Sequence, residues 1–264
     1  MDSRPEGFAS AVQPVATTTV HTDATGLAAG DVRIPARDGD LYAYRAMPAG
    51  GKNLPVVLLI HEIWSVHEYF KDLCRRLAKL GYLAISPDLF ARQGDVSGLA
   101  IEDIRKVVAR VPDEQVLSDL DATAQWALRN GGDRQRLGVS GFCWGGRITW
   151  LYCAHSTDVK AGVAWYGPVE KPATELQPRH PVDLAGELKC PVLGLYGAED
   201  AGIPNDTVER MRAALKAAKQ PSEIVLFPGM PHAFHADYRP SYRKQAADEG
   251  WRLMLDWFRR HGVA

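Results

Sequence analysis

Short apolar runs alternate with amphipathic stretches along most of this chain. The run from Pro55 to Ile60 carries no polar side chain, as is typical of a strand buried on both faces. Apolar residues then recur at helical spacing from Tyr69 to Leu80, and Gly81 ends the predicted helix. The same alternation predicts further strands near 82–86, 136–140, 161–166, 192–196 and 223–227, and helices near 100–110, 114–129, 206–219 and 241–260.

A β-hairpin is predicted ahead of these units, because Asp38-Gly39 lies between the strand-like segments 32–34 and 41–44. No repeat or low-complexity linker interrupts the series. Strands that alternate with helices predict a single α/β domain over residues 31–264, with a mostly parallel central sheet and helices on both faces. Ligands bind at the carboxyl ends of such strands, so we expect functional residues directly after them.

Residues 1–30 are rich in Ala, Thr, Ser and Gly and have no clear periodicity, so they are predicted to form a loosely ordered arm. An apolar stretch at 8–12 is interrupted by Gln13 and Pro14, which makes it a weak candidate for an export signal. We therefore expect a cytoplasmic protein.

Composition and charge narrow the class of function. The 264 residues are 46% hydrophobic and 24% charged, a balance typical of a globular domain, and 31 basic against 32 acidic residues leave a net charge of −1. Such a balance argues against nucleic-acid binding. Apolar runs fall short of the roughly 20 residues of a membrane span. We expect a monomer or weak homodimer that acts on a small molecule and binds neither nucleic acid nor membrane.

The cysteines and histidines do not form a metal-binding pattern. Four cysteines without CxxC spacing, and eight histidines without HxH or HExxH, indicate neither a zinc site nor a disulfide framework. No metal and no cofactor are expected.

A predicted strand at 137–140 runs into a glycine-rich turn with a cysteine at its centre. Residues 141–145 read GFCWG, the G-x-C-x-G pattern of a nucleophile elbow with cysteine in place of serine. The central residue of an elbow is strained, and its neighbours two positions away must be small. Cys143 is therefore the candidate nucleophile, whereas a cysteine without this context is more often a packing residue.

An acid and then a histidine are expected after later strands. Asp200 follows the strand predicted at 192–196, with Glu199 as the alternative acid. His232 follows the strand predicted at 223–227 and is favoured as the base over His235, because it is nearer the strand end. A thiol with a pKa of about 8.5 is mostly protonated at neutral pH, so a paired histidine is the expected activator.

These residues resemble those of the dienelactone hydrolase (carboxymethylenebutenolidase) family of α/β-hydrolases, from about residue 31 to residue 262. The matching segments are LIHEI at 59–63, SPDLFAR at 86–92, GFCWGG at 141–146, GAED at 197–200 and PHAF at 231–234. The resemblance implies an α/β-hydrolase fold and a Cys-His-Asp triad that hydrolyses an ester or lactone through a thioester.

The resemblance also assigns roles near the end of the first core strand. It implies that Glu62 holds the resting thiol and takes its proton when substrate arrives. From the residues alone, Glu62 would be a loop carboxylate in a salt bridge. The backbone N–H groups of Ile63 and Trp144 would form the oxyanion hole, since donors must point at the developing negative oxygen.

The family binds the carboxylate of its substrate with arginines, which suit a planar, bidentate group. Arg92 matches the first of them. The second is expected four residues after the catalytic histidine, where this chain has Ala236, and Arg239 is a displaced substitute or else a surface residue. The difference leaves the true substrate open.

Two other functions remain open at this point. A broad carboxylesterase or thioesterase would need no second arginine. A thiol redox sensor or ligand-binding protein on the same scaffold would oxidise Cys143 instead of acylating it, although neither Asp200 nor the elbow glycines would then be needed. Trp64, Trp144 and Tyr166 would line an apolar pocket or pack in the core.

Overall fold

One mixed sheet forms the centre of the structure, a computed structural model that describes residues 7–8 and 11–264. Within these residues eight strands pair into the sheet in the order β1-β2-β4-β3-β5-β6-β7-β8. The strands are β1 (Leu27–Ala36), β2 (Gly39–Pro48), β3 (Leu54–Ile60), β4 (Leu83–Pro87), β5 (Gly132–Phe142), β6 (Ala161–Trp165), β7 (Val192–Gly197) and β8 (Glu223–Phe227).

The helices lie between these strands along the chain. They are α1 (Glu68–Lys79), α2 (Ile101–Ala109), α3 (Asp113–Arg129), α4 (Trp144–His155), α5 (Asn205–Ala217) and α6 (Lys244–Arg260), with a short 3₁₀ turn at Pro181–Leu184. In the described part of the chain, no helix is both long and apolar enough to cross a membrane. The predicted α/β architecture is confirmed.

The order of the strands places two loops side by side. β1 and β2 form the predicted hairpin and join the sheet antiparallel, whereas the strands from β4 to β8 run parallel. From β3 the chain crosses to β4 on one side and then returns to β5 on the other. The carboxyl ends of β3 and β5 therefore flank the point where the strand order reverses, the usual position of a ligand crevice in an open α/β sheet.

Several element boundaries differ from the prediction, among them the starts of β1, β5 and α6. β1 begins at Leu27, inside the segment expected to be an arm, because an edge strand rich in Ala and Gly lacks apolar alternation. β5 begins at Gly132, where it pairs with Leu54 through an irregular register. α6 begins at Lys244 instead of Ser241, since the residues before it form a turn closed by Tyr242 N–H and Arg239 O.

The segment before β1 contacts the body of the domain at several points. Val15 donates its backbone N–H to Tyr238 O at 2.9 Å, and the Thr18 hydroxyl donates to Asp237 O at 2.6 Å. The backbone N–H of Thr22 donates to the buried carboxylate of Asp72 at 2.5 Å. Part of the predicted arm, residues 1–6 and 9–10, lies outside the described residues.

The first turn of α4 packs so closely against the end of β3 that position 145 requires glycine. A Cβ at this position would lie 2.3 Å from the backbone oxygen of Ile60, which cannot move without disrupting the sheet. We expect Gly145→Ala to destabilise the fold by about 1–3 kcal/mol, the usual range for overpacking, despite the better helix propensity of alanine. Thermal unfolding measures this.

Gly98→Ala is the matched control, because a Cβ there would meet no atom within 4 Å. Its melting temperature should stay close to that of the wild type. Equal melting temperatures for the two variants would contradict the packing described at Gly145.

Candidate active site

Cys143 occupies a strained turn between β5 and α4. Its backbone has φ 55° and ψ −116°, in the left-handed half of conformational space that side chains other than glycine seldom adopt. Its N–H donates to Trp165 O at 2.9 Å, which ties the turn to the neighbouring strand β6. A Cβ at Gly141 would lie 2.2 Å from the carbonyl oxygen of Gly145, so the tight turn requires glycine there.

Asp200 and His232 meet beside this turn. Asp200 follows β7 and His232 follows β8, and Asp200 Oδ2 lies 2.6 Å from His232 Nδ1. The Asp200 carboxylate is almost fully buried, and it also accepts the backbone N–H of Gly202 at 2.8 Å. The carboxylate therefore holds the proton of the imidazole on Nδ1 and leaves Nε2 for a second partner.

The second partner of His232 is the half-buried thiol of Cys143. Burial lowers the pKa of His232, but the hydrogen bonds with Asp200 and Cys143 outweigh burial and raise the pKa to about 10. His232 therefore keeps its proton through the neutral range. The structure brings together the three residues that follow one another along the chain in the predicted order of nucleophile, acid and base, with His232 between the other two.

The two alternative residues lie in different surroundings. Glu199 is exposed, whereas its neighbour Asp200 is buried against His232. His235 is fully buried, and its Nδ1 lies 2.6 Å from the hydroxyl of Tyr69. Burial and the charge of Arg76 lower the pKa of His235 well below its usual value, so this imidazole is neutral.

Glu62 lies in the turn after β3 and is 1% exposed. Its Oε1 lies 3.0 Å from His67 Nε2 and also accepts a hydrogen bond from the hydroxyl of Tyr238. Burial raises the pKa of Glu62, but the bonds from His67 and Tyr238 and the positive charge of Arg239 together lower it below its usual value. Glu62 is thus a buried, ionised carboxylate, and within the described residues its side-chain hydrogen bonds are with His67 and Tyr238, not with the thiol of Cys143 as the resemblance implied.

Phe8 covers the two groups that bind Glu62. Its ring packs at 5.3 Å from the His67 ring and at 5.1 Å from the Tyr238 ring, measured between centroids. Neither His67 nor Tyr238 was predicted from the sequence, because Tyr238 lies 176 residues from Glu62 along the chain and no local pattern connects them.

The turn that contains Ile63 is fixed by His61. Burial lowers the pKa of His61, so the ring is neutral, with Nδ1 2.7 Å from Glu62 O and Nε2 accepting the N–H of Leu89 at 3.0 Å. The same ring stacks on Trp144 at 5.5 Å. Trp144 begins α4, where a backbone N–H has no acceptor within the helix. These contacts hold the segments of both predicted oxyanion donors.

The two candidate substrate arginines differ in their surroundings. Arg239 is half-buried, and the negative charge of Glu62 acts on its guanidinium. Arg92 instead pairs with the buried Asp119 at 2.5 Å and with the exposed Asp38 at 3.8 Å. Within the described residues, the ion pairs of Arg92 do not involve the groups around Cys143.

Comparison with known proteins identifies the family of the chain. The sequence profile of the dienelactone hydrolase family matches residues 41–262. The chain belongs to the dienelactone hydrolase family. The family comprises carboxymethylenebutenolidase-like hydrolases of esters and lactones.

Similar members of the dienelactone hydrolase family come from several bacteria. A protein of Methylorubrum extorquens, provisionally named a carboxymethylenebutenolidase, is 58% identical over 98% of this chain and 90% of its own length. One from Escherichia coli K12 with the same provisional name is 50% identical over 97% of this chain and 96% of its own.

Solved structures show the same fold. The crystal structure of a provisionally named dienelactone hydrolase from Klebsiella pneumoniae is 53% identical, covers 88% of this chain and 98% of its own, and has a TM-score of 0.87. A dienelactone hydrolase-like phosphotriesterase from metagenomic libraries has a TM-score of 0.73 at 20% identity and covers 89% of this chain and 99% of its own. At that identity the likeness shows the fold alone.

The raised pKa of His232 predicts a pH-dependent contribution to stability. In the unfolded chain a histidine titrates near pH 6.5, whereas here it titrates near 10. The stabilisation is thus fully present below about pH 6.5, shrinks as the pH rises and is lost near pH 10. We expect the difference in unfolding free energy between the wild type and His232→Gln to fall over this range.

Denaturant unfolding at a series of pH values measures that difference. Lysine, tyrosine and cysteine side chains away from the site also titrate in this range, but their effects on the unfolding free energy are largely the same in the two proteins and cancel in the difference. A difference that stays constant from pH 6 to pH 10.5 would contradict a protonated His232 at neutral pH.

Proposed function

We propose that this protein hydrolyses an ester or lactone that bears a carboxylate, through a thioester on Cys143. This proposal is carried by the hydrogen bonds that connect the three residues. The thiol of Cys143, on its strained turn, contacts His232, and His232 Nδ1 lies 2.6 Å from Asp200. A nucleophile, a base and a group that orients the base are the parts that covalent acyl transfer requires.

In the first half-reaction, Sγ of Cys143 attacks the carbonyl carbon. The ionised Glu62 accepts the thiol proton, and protonated His232 donates its Nε2 proton to the leaving oxygen as the carbon–oxygen bond breaks. The products are the free alcohol, or the opened ring of a lactone, and the acyl thioester. His232 is then neutral and Glu62 is protonated.

In the second half-reaction, neutral His232 removes a proton from water, which attacks the thioester carbonyl. In the thioester, Cys143 is no longer a free thiol, so one of the interactions that raise the pKa of His232 is lost. The pKa of His232 then lies closer to neutral pH, where a general base works best. The sulfur leaves, takes the proton back from Glu62, and the acid product departs. Both proton carriers return to their starting states.

The negative oxygen of each tetrahedral intermediate needs donors that are already in place. The backbone N–H groups of Ile63 and Trp144 are the proposed pair, one after β3 and one at the start of α4. The contacts of His61 with Glu62 O, with Leu89 N–H and with the Trp144 ring limit the movement of both segments.

For the substrate carboxylate, Arg239 is the proposed primary contact. Its guanidinium is within the electrostatic influence of Cys143, whereas Arg92 would first have to release Asp119. A broader carboxylesterase is the second candidate function, favoured by Ala236 at the position where the family has its second arginine.

Removal of the thiol tests the proposed chemistry. For a simple aryl ester, we expect Cys143→Ala to lower kcat/KM and His232→Ala to lower kcat, each by at least about 100-fold, the usual scale for loss of a nucleophile or of acid–base catalysis. Cys190→Ala removes a thiol that is buried elsewhere and should retain wild-type activity. Equal hydrolysis by the wild type and Cys143→Ala would contradict the thioester route.

A further inference from the structure

His67 lies directly before α1, and its ring is turned toward Glu62. It is the N-cap residue of this helix, and its carbonyl oxygen accepts the N–H of Phe70 at 3.0 Å. The side chain of an N-cap residue commonly binds a backbone N–H of the first turn, but the His67 ring makes no such bond. Its Nε2 lies instead 3.0 Å from Glu62 Oε1. Helix capping therefore does not explain this side chain.

The His67 ring is a hydrogen-bond donor to Glu62. A proton must lie on Nε2, because an unprotonated ring nitrogen 3.0 Å from an ionised carboxylate would repel it. Nδ1 is buried and has no partner among residues 7–8 and 11–264, so a second proton there would find no acceptor. The rings of Phe8 and Phe70 pack at 5.3 Å and 5.4 Å from the imidazole, between centroids, and hold it in this orientation.

Both donors to Glu62 bind the same oxygen. His67 and the hydroxyl of Tyr238 meet Oε1, so neither of them occupies Oε2. His67 is 3% exposed and Tyr238 is 1% exposed, which keeps water from competing for these bonds. Two bonds to one oxygen restrict rotation of the carboxylate and give Oε2 a fixed direction. A general base needs this kind of positioning as well as the correct protonation state.

We propose that His67 and Tyr238 are positioning residues, which hold Oε1 of Glu62 so that Oε2 stays ionised and can take the thiol proton of Cys143. This inference rests on the proposed function, in which Glu62 receives that proton. The S–H bond breaks while an O–H bond forms on Oε2, and the electron pair stays on sulfur for attack on the carbonyl carbon. The transfer needs no further reactant.

The titratable and charged groups that act on Glu62 come from several parts of the fold. They are His61 on the same turn, His67 and Tyr69 at α1, Tyr166 after β6, and Tyr238 and Arg239 in the loop before α6. Burial raises the pKa of the three tyrosines and lowers the pKa of His61, so all four are neutral at pH 7. Within the described residues, the hydrogen bonds to the carboxylate are those of His67 and Tyr238.

Infrared difference spectra recorded over a pH series test the proposal. The carbonyl stretch of protonated Glu62, identified by its absence in Glu62→Gln, gives the midpoint pH of this carboxyl group. Leucine fills much of the volume of an imidazole but donates no hydrogen bond. We expect His67→Leu to raise the midpoint by about 1–2 pH units, because a hydrogen bond to a charged group is lost. The acidic limb of kcat/KM for an aryl ester should move to higher pH by the same amount.

Two further variants separate the hydrogen bond from packing. His67→Gln retains an N–H that can reach the position of Nε2, so it should restore the midpoint and the acidic limb. Tyr238→Phe removes the second donor and keeps the ring, so it should raise the midpoint as well, and it supplies the test if His67→Leu does not fold. A purely structural defect would lower kcat/KM at every pH without moving the acidic limb.

His155→Leu is the matched control, since it removes another imidazole paired with a carboxylate, one that is exposed and lies 2.8 Å from Asp121. This variant should keep the midpoint and the limb of the wild type. An unshifted midpoint in His67→Leu or in Tyr238→Phe overturns the proposal. A shift in His67→Leu that persists in His67→Gln overturns it too, because packing would then be the cause.

Failure of the proposed function looks different from failure of this inference. Hydrolysis that persists in Cys143→Ala rejects the thioester route, yet the infrared midpoint still reports whether His67 and Tyr238 keep Glu62 ionised. Loss of hydrolysis in Cys143→Ala together with an unshifted midpoint in His67→Leu leaves the thioester route in place and overturns only the positioning roles.

Discussion

The turn at Cys143 is the constraint on which the rest of the site depends. A positive φ in a cysteine is held only because the surrounding backbone leaves no alternative. A Cβ at Gly146 would lie 2.5 Å from Trp165 O, and a Cβ at Gly145 would lie 2.3 Å from Ile60 O. The turn is therefore packed against both neighbouring strands, and this packing directs the thiol toward the loops that carry His232 and Asp200.

Around this turn, buried charges are balanced by specific partners. Two buried carboxylates each have hydrogen-bond donors. Asp200 is paired with His232 and accepts a backbone N–H, and Glu62 is paired with His67 and accepts the hydroxyl of Tyr238. An ionised carboxylate left without such donors would instead take up a proton. The site can therefore hold one protonated base and one ionised acceptor at neutral pH, which the proposed proton transfers require.

The sequence allowed the fold and the positions of Cys143, Asp200 and His232 to be predicted, because each of these residues directly follows an apolar strand run. Contacts between distant loops could not be predicted in this way. The pairing of Arg92 with Asp119, and the bond from Tyr238 to Glu62, depend on how helices and loops pack. The strain at Tyr166 is likewise a property of the folded backbone, so the motifs alone left this residue as one of several pocket aromatics.

The covalent role of Cys143 is tested most directly by rapid acid quench and intact-mass measurement on His232→Gln. An aryl ester with a good leaving group needs little protonation, so acylation should continue, whereas hydrolysis of the thioester lacks its base and should stall. We predict a mass increase of one acyl group, mapped to Cys143. Wild-type turnover of the ester with no adduct in the variant, or an adduct on another residue, would contradict it.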